Sequence, residues 1–148
     1  MLKAYTLIEL IIVIGVLALL TGLASLSIVS YGQSADTETT KNIIRESLKQ
    51  ARANSMADVD EKVWGVHFES DRLVIFADAD GGFNPSDPNN ATKPFANHTS
   101  ALWNLTGGGA NVEFVKRTGE TITDGTITVS GSGQGTKTIN INSEGMVE

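Results

Sequence analysis

The sequence predicts an α+β fold, with one long N-terminal α-helix packed on a mostly antiparallel β-sheet domain. Three observations predict it. Residues 7–29 are almost entirely apolar, no proline occurs before Pro85, and from residue 63 apolar positions alternate with polar ones. The first two allow a single helix from Tyr5 to about Ala57, about 80 Å long at a rise of about 1.5 Å per residue. The third changes the apolar period from 3.6 to 2, the change from helix to strand.

The apolar half of the helix comes first. Residues 7–29 carry one charge, Glu9, and are long enough to cross a hydrocarbon core of about 30 Å. A cleaved secretory signal peptide is the ordinary alternative. Against it, the charged stretch before the run is only Met1-Leu2-Lys3-Ala4, and no Ala-x-Ala site closes the run. Lys3 favours the cytoplasmic side, which leaves the C-terminal part outside. A carboxylate within a span costs about 2.5–3.5 kcal/mol at the helix centre. The cost falls near the helix end, where the first-turn dipole favours a negative charge. Glu9 reads either as an interfacial glutamate reaching for headgroups or as a carboxylate held for a cationic partner.

Residues 34–57 turn polar but keep Ile44, Leu48, Ala51 and Ser55 on one stripe, with Ile43 beside it. That spacing lays one helical face against a sheet. Gly15 and Gly22 are the weak points of the helix.

The strands follow. In Val63-Trp64-Gly65-Val66-His67-Phe68, Trp64, Val66 and Phe68 share a face. Residues 72–76 form a second strand, one tight turn away through Ser70-Asp71. Residues 112–115 read as a third. Thr121-Ile122-Thr123 and Thr126-Ile127-Thr128 flank Asp124-Gly125, the signature of a type I′ hairpin. Residues 136–142 alternate again, with Ile139 and Ile141 on one side. Residues 79–100, rich in Asn, Asp, Gly and Pro, read as a long loop.

Composition narrows the function classes. The formal net charge is −6 and no basic block exists, so no nucleic-acid partner is expected, since an acidic surface repels phosphate. No cysteine is present, which excludes disulfides and thiolate metal sites. Asp78, Asp80 and Asp87 lie around Gly81-Gly82 and are candidate calcium ligands. They lack the full loop spacing, because Asn89 stands where a closing glutamate would. A solvated acidic turn is the alternative. His67 and His98 stand apart from any ligand motif. Residues 131–138 fail as a phosphate loop, because Lys137 follows threonine and a strand comes next. Asn90, Asn97 and Asn104 begin formal glycosylation sequons, which Asn- and Thr-rich loops generate by chance.

Lys3-Ala4-Tyr5-Thr6-Leu7-Ile8-Glu9-Leu10, followed directly by the apolar run, resembles the processing site of type IV prepilins and type II secretion pseudopilins. The resemblance implies a type IV pilin-like fold and a structural, non-enzymatic role. It implies cleavage by a prepilin peptidase after Ala4, where the family usually has glycine, and N-methylation of Tyr5, where it usually has phenylalanine. It further implies that Glu9 pairs with the N-terminus of a neighbouring subunit. Cleavage would free an amine at Tyr5, largely protonated below its ordinary pKa of about 7.7–8. Tyr5 and Glu9 are spaced i,i+4 and share a helix face. Many pilins carry a proline late in the apolar run; this chain has Leu26 there.

The outer domain resembles the GspH/FimT-type minor pseudopilins. The cues are Ala51-Arg52 late in the helix, the hairpin that follows, the turn at Phe76-Ala77-Asp78, and Glu144-Gly145 after a short strand. Some members bind DNA through basic residues near the C-terminus. Here that end is acidic and has no arginine, so that activity does not carry over.

The expected organisation is a leader peptide at 1–4, a transmembrane and assembly half of the helix at 5–31, an amphipathic half at 32–60, and a β-rich globular domain at 61–148. Expected partners are identical or homologous pilin subunits, the inner membrane and a prepilin peptidase. The C-terminal domain would lie outside, first on the membrane and then in an extracellular or periplasmic filament. The alternative is a single-pass anchored extracytoplasmic binding protein that never polymerises. An exported enzyme would need a nucleophile–base pair or a metal cluster, and the sequence presents neither.

Overall fold

The structure, a computed structural model, describes residues 6–131 and 134–148, without the side chains of 23–34 and 134. It divides into two compact units, Met1–Gly32 and Gln33–Glu148. Helix α1, Leu7–Met56, contributes to both.

Thr6 starts α1. Its carbonyl accepts the Leu10 N–H at 3.2 Å, and its hydroxyl accepts the Glu9 N–H at 3.3 Å. That is an N-cap, which satisfies donors the helix itself cannot.

In the second unit, the predicted stripe of Ile44, Leu48 and Ala51 is completely buried. So is Ser55, the fourth position of that stripe, and the buried face extends beyond it through Thr37, Thr40 and Ser47. Buried hydroxyls must find partners, and these do. The Thr40 hydroxyl accepts the Ala96 N–H at 3.0 Å and meets the Thr99 hydroxyl at 2.8 Å. Ser55 donates to the Phe114 carbonyl at 2.9 Å and accepts the Trp64 N–H at 3.0 Å. Ser55 therefore pins the last turn of the helix to two strands.

Seven strands follow: β1 Val63–Phe68, β2 Arg72–Asp78, β3 Ala91–Pro94, β4 Thr99–Leu105, β5 Asn111–Phe114, β6 Gly125–Gly131 and β7 Gln134–Ile141. They form two antiparallel sheets, ordered β3-β2-β1-β5 and β4-β6-β7. One core joins both sheets to the helix stripe. Val66, Phe68, Leu73, Ile75, Val112 and Phe114 come from the first sheet, and Ala101, Leu105, Ile127, Val129, Ile139 and Ile141 from the second.

Strands β1, β2 and β5 stand where the alternation placed them. Three expectations fail. Residues 79–100 are not one loop, since β3 and the start of β4 lie within them. The density of Asn and Pro hides them locally, and pairing with β2 and β6 supplies what propensity does not. Thr121-Ile122-Thr123 is not a strand, and Asp124-Gly125 is not a hairpin turn. Gly125 opens β6, whose neighbours are β4 and β7. The Thr121 N–H instead reaches the Ser143 carbonyl at 3.0 Å, and Ile122 is 81% exposed. The strands also build two sheets rather than one.

Part of the outer face of the first sheet is covered by the loop after β2. The Phe83 ring stacks on His67 with centroids 4.0 Å apart and tilts against Phe76 at 5.6 Å. Gly65 makes room for this second layer, because a Cβ there would stand 2.6 Å from Phe76 Cζ.

The second unit holds its own core, and one prediction follows. Removing residues 1–32 should leave a soluble, folded domain with an intact near-UV circular dichroism spectrum. A molten near-UV spectrum would place the boundary elsewhere.

Candidate functional site

From Leu7 to Leu20, α1 is apolar on every side apart from Glu9. Each large apolar side chain from Leu7 to Leu20 is between 50% and 80% exposed. Successive residues step by about 100° around a helix, so this run leaves no polar face. Polar interruptions are few. Thr21 turns its hydroxyl back onto the carbonyls of Leu17 and Ala18, at 2.9 and 3.0 Å. Glu9 sits in the first turn, exposed, beside the positive end of the helix dipole. Among the described residues no cation pairs with it.

Ala4 and Tyr5 lie outside the described residues, as do the side chains that complete the expected span at 5–31. Among the described residues, no helix is long and apolar enough to cross a membrane.

The other candidates fall into place in the second unit. Asp78, Asp80 and Asp87 are not gathered into a metal site. Among the described residues no group of three or more His, Asp or Glu is placed to hold an ion. Two of the carboxylates cap local turns instead: Asp78 accepts the Asp80 N–H at 3.0 Å, and Asp87 the Asn89 N–H at 2.8 Å. His67 is a strand residue whose Nδ1 lies 2.7 Å from Asn111 Oδ1. His98 is an exposed turn residue at φ 58°.

Arg52 has a role that sequence reasoning passed over. Its Nε donates to the Gly119 carbonyl at 3.1 Å, and its Nη2 donates to the Glu144 carbonyl at 3.0 Å. Gly145 closes the same knot at φ 71°, where an added Cβ would overlap the Gly119 carbonyl oxygen. A left-handed residue in that space has to be glycine. The only signal in the sequence was the co-occurrence of Ala51-Arg52 with Glu144-Gly145, nearly a hundred residues apart.

Nearby, Arg117 holds Asp58 Oδ2 through Nε and Nη2, at 2.9 and 2.7 Å. On the β1–β2 turn, the hydrogen bond from Arg72 Nε to Glu69 Oε2 at 2.6 Å, with the charges of Glu69 and Asp71, raises the guanidinium pKa further. That pair is solvent-exposed and contributes little to stability.

No family model matches the chain, and neither does any curated protein. Among solved structures, the crystal structure of the type IV minor pilin FimU from Pseudomonas aeruginosa (strain PAO1) is similar, with a TM-score of 0.61 and 13% sequence identity. The similarity covers 80% of this chain and 90% of that one. At such identity the likeness is one of architecture, and the chain has the α+β fold of a type IV pilin.

Proposed function

We propose that this chain is a structural subunit of a type IV pilus or a type II secretion pseudopilus, polymerised through its N-terminal helix. The observation that carries the reading is the run from Leu7 to Leu20, apolar and uncovered on all sides. Nothing among the described residues buries it, so its partners are hydrocarbon or the helices of other subunits. The fold supports the same reading at a coarser level.

The finer assignments rest on the motif. A prepilin peptidase cuts after Ala4 and methylates Tyr5. The subunit waits in the inner membrane with residues 61–148 outside, and Glu9 then meets the Tyr5 amine of a neighbour during assembly into an extracellular or periplasmic filament. Such a pair offsets the cost of burying either charge alone. The Arg52 contact with Gly119 and Glu144 supports a place among the GspH/FimT-type minor subunits, because it ties together the elements that carried that resemblance.

Mass spectrometry of protein isolated from its host should find the chain starting at Tyr5 with one methyl group on the amine. An intact Met1 would favour the anchored binding protein that does not polymerise. A cut near residues 25–30 would restore an ordinary signal peptide.

A further inference from the structure

At the end of the first sheet where α1 finishes, the loop after β2 stops short of covering the outer face. It leaves a groove of about 390 Å³, within the range of about 300–1,000 Å³ typical of ligand sites. Val63 and Val115 line it, and Ile122, 81% exposed, forms one wall. Asp80, Gly81 and Glu113 also line it, with the Glu113 carboxylate against Gly81.

The charges in this groove are unbalanced. Glu113 Oε1 accepts the Gly82 N–H at 3.1 Å, which keeps the carboxylate in place. Among the described residues, neither Glu113 nor Asp80 forms an ion pair. Lys116 also lines the groove and donates from Nζ to the Glu61 carbonyl; its single positive charge leaves the lining acidic by one. The groove thus sets two carboxylates against one ammonium beside apolar walls.

We infer that this groove docks a lysine or arginine side chain from a partner protein. Such a side chain carries an aliphatic stem and a charged head on one group. The stem would lie along Val63, Val115 and Ile122, and the head would meet Asp80 and Glu113. A small metal cation would gain nothing from the apolar walls, and an apolar side chain would leave the carboxylates without a partner. The inference goes beyond the filament reading and does not depend on it, because the groove lies wholly in the second unit.

The test uses the full-length chain in detergent micelles, with Ile and Val methyl groups labelled for NMR. The probes are acetyl-Leu-Arg-Leu-amide, acetyl-Leu-Glu-Leu-amide and spermidine. The arginine peptide should shift the Ile122, Val115 and Val63 methyl resonances saturably, and less so as salt rises. Glu113→Gln keeps the acceptor for Gly82 but removes the charge. Combined with Asp80→Asn, it should weaken the arginine peptide by about tenfold or more, with the remaining methyl spectrum unchanged. Ile122→Ser should weaken it without altering the salt dependence. Shifts centred elsewhere, equal binding of the glutamate peptide, or undiminished affinity in the double variant would overturn the proposal. Equal binding of spermidine would overturn the assignment to a protein side chain.

Discussion

Glu9→Leu should abolish or sharply reduce filaments while leaving the subunit in the membrane. The substitution removes a charge whose burial in a span costs about 2.5–3.5 kcal/mol at the helix centre, so insertion should be intact or improved. The Thr6 cap should survive, because it uses the Glu9 backbone N–H rather than the side chain. Cleavage after Ala4 should survive as well, since the small residue at the cut remains. What is lost is the carboxylate that would meet the Tyr5 amine of an incoming subunit. Leaving one partner of a buried pair alone costs about 3–5 kcal/mol. Glu9→Asp should restore assembly in part, being one methylene shorter. Sheared filament yield, compared with the membrane pool by immunoblot, measures the effect. Normal filaments from the leucine variant would refute charge pairing and leave Glu9 an interfacial residue.

Arg52→Met should destabilise the globular unit by about 2–3 kcal/mol, because a hydrogen bond to a charged group contributes about 1.5–3 kcal/mol and, of the two lost, the one to Glu144 is exposed and screened by solvent. Methionine keeps most of the stem's packing, so the loss reports the two bonds to Gly119 and Glu144. Without disulfides, this knot is one of the ties between the C-terminal segment and the helix. Away from the helix, the same segment is held by the Thr121 N–H on the Ser143 carbonyl and by the paired Asn140 and Glu148 backbones. The melting temperature of the full-length chain in detergent should fall by roughly 10 °C. Amide exchange should speed up at Thr121 and Gly145 before it does in β1 or β6. Arg52→Lys should fall between, since an ammonium cannot span both carbonyls as a planar fork does. An unchanged melting temperature, with the two amides still protected, would show that the tail is held without the Arg52 bonds.

Local pattern carried the parts of this protein that local physics controls. The helix stripe at Ile44, Leu48 and Ala51 and strands β1, β2 and β5 were legible because period and burial coincide there, and the uncovered apolar run because it has no polar face at all. The carboxylate of Glu9 stood out because a charge is rare in so apolar a run. Tertiary structure decided the rest. Thr37 and Thr40 look like polar surface positions of a helix, and they are buried, as is Ser55 of the stripe. For Thr40 and Ser55 the reason is partners at Ala96, Thr99, Trp64 and Phe114, which no window around the helix contains. Residues 121–123 carry the alternation of a strand and are not one, since β6 pairs with β4 and β7. Strand β4 begins inside a segment that reads as loop and is held by partners about thirty residues away. Arg52 met Glu144 across 92 positions. Apolar periodicity records which face of an element is buried. The pairing of buried polar groups depends on which distant segment arrives opposite, and that was settled only when both sheets closed on the helix.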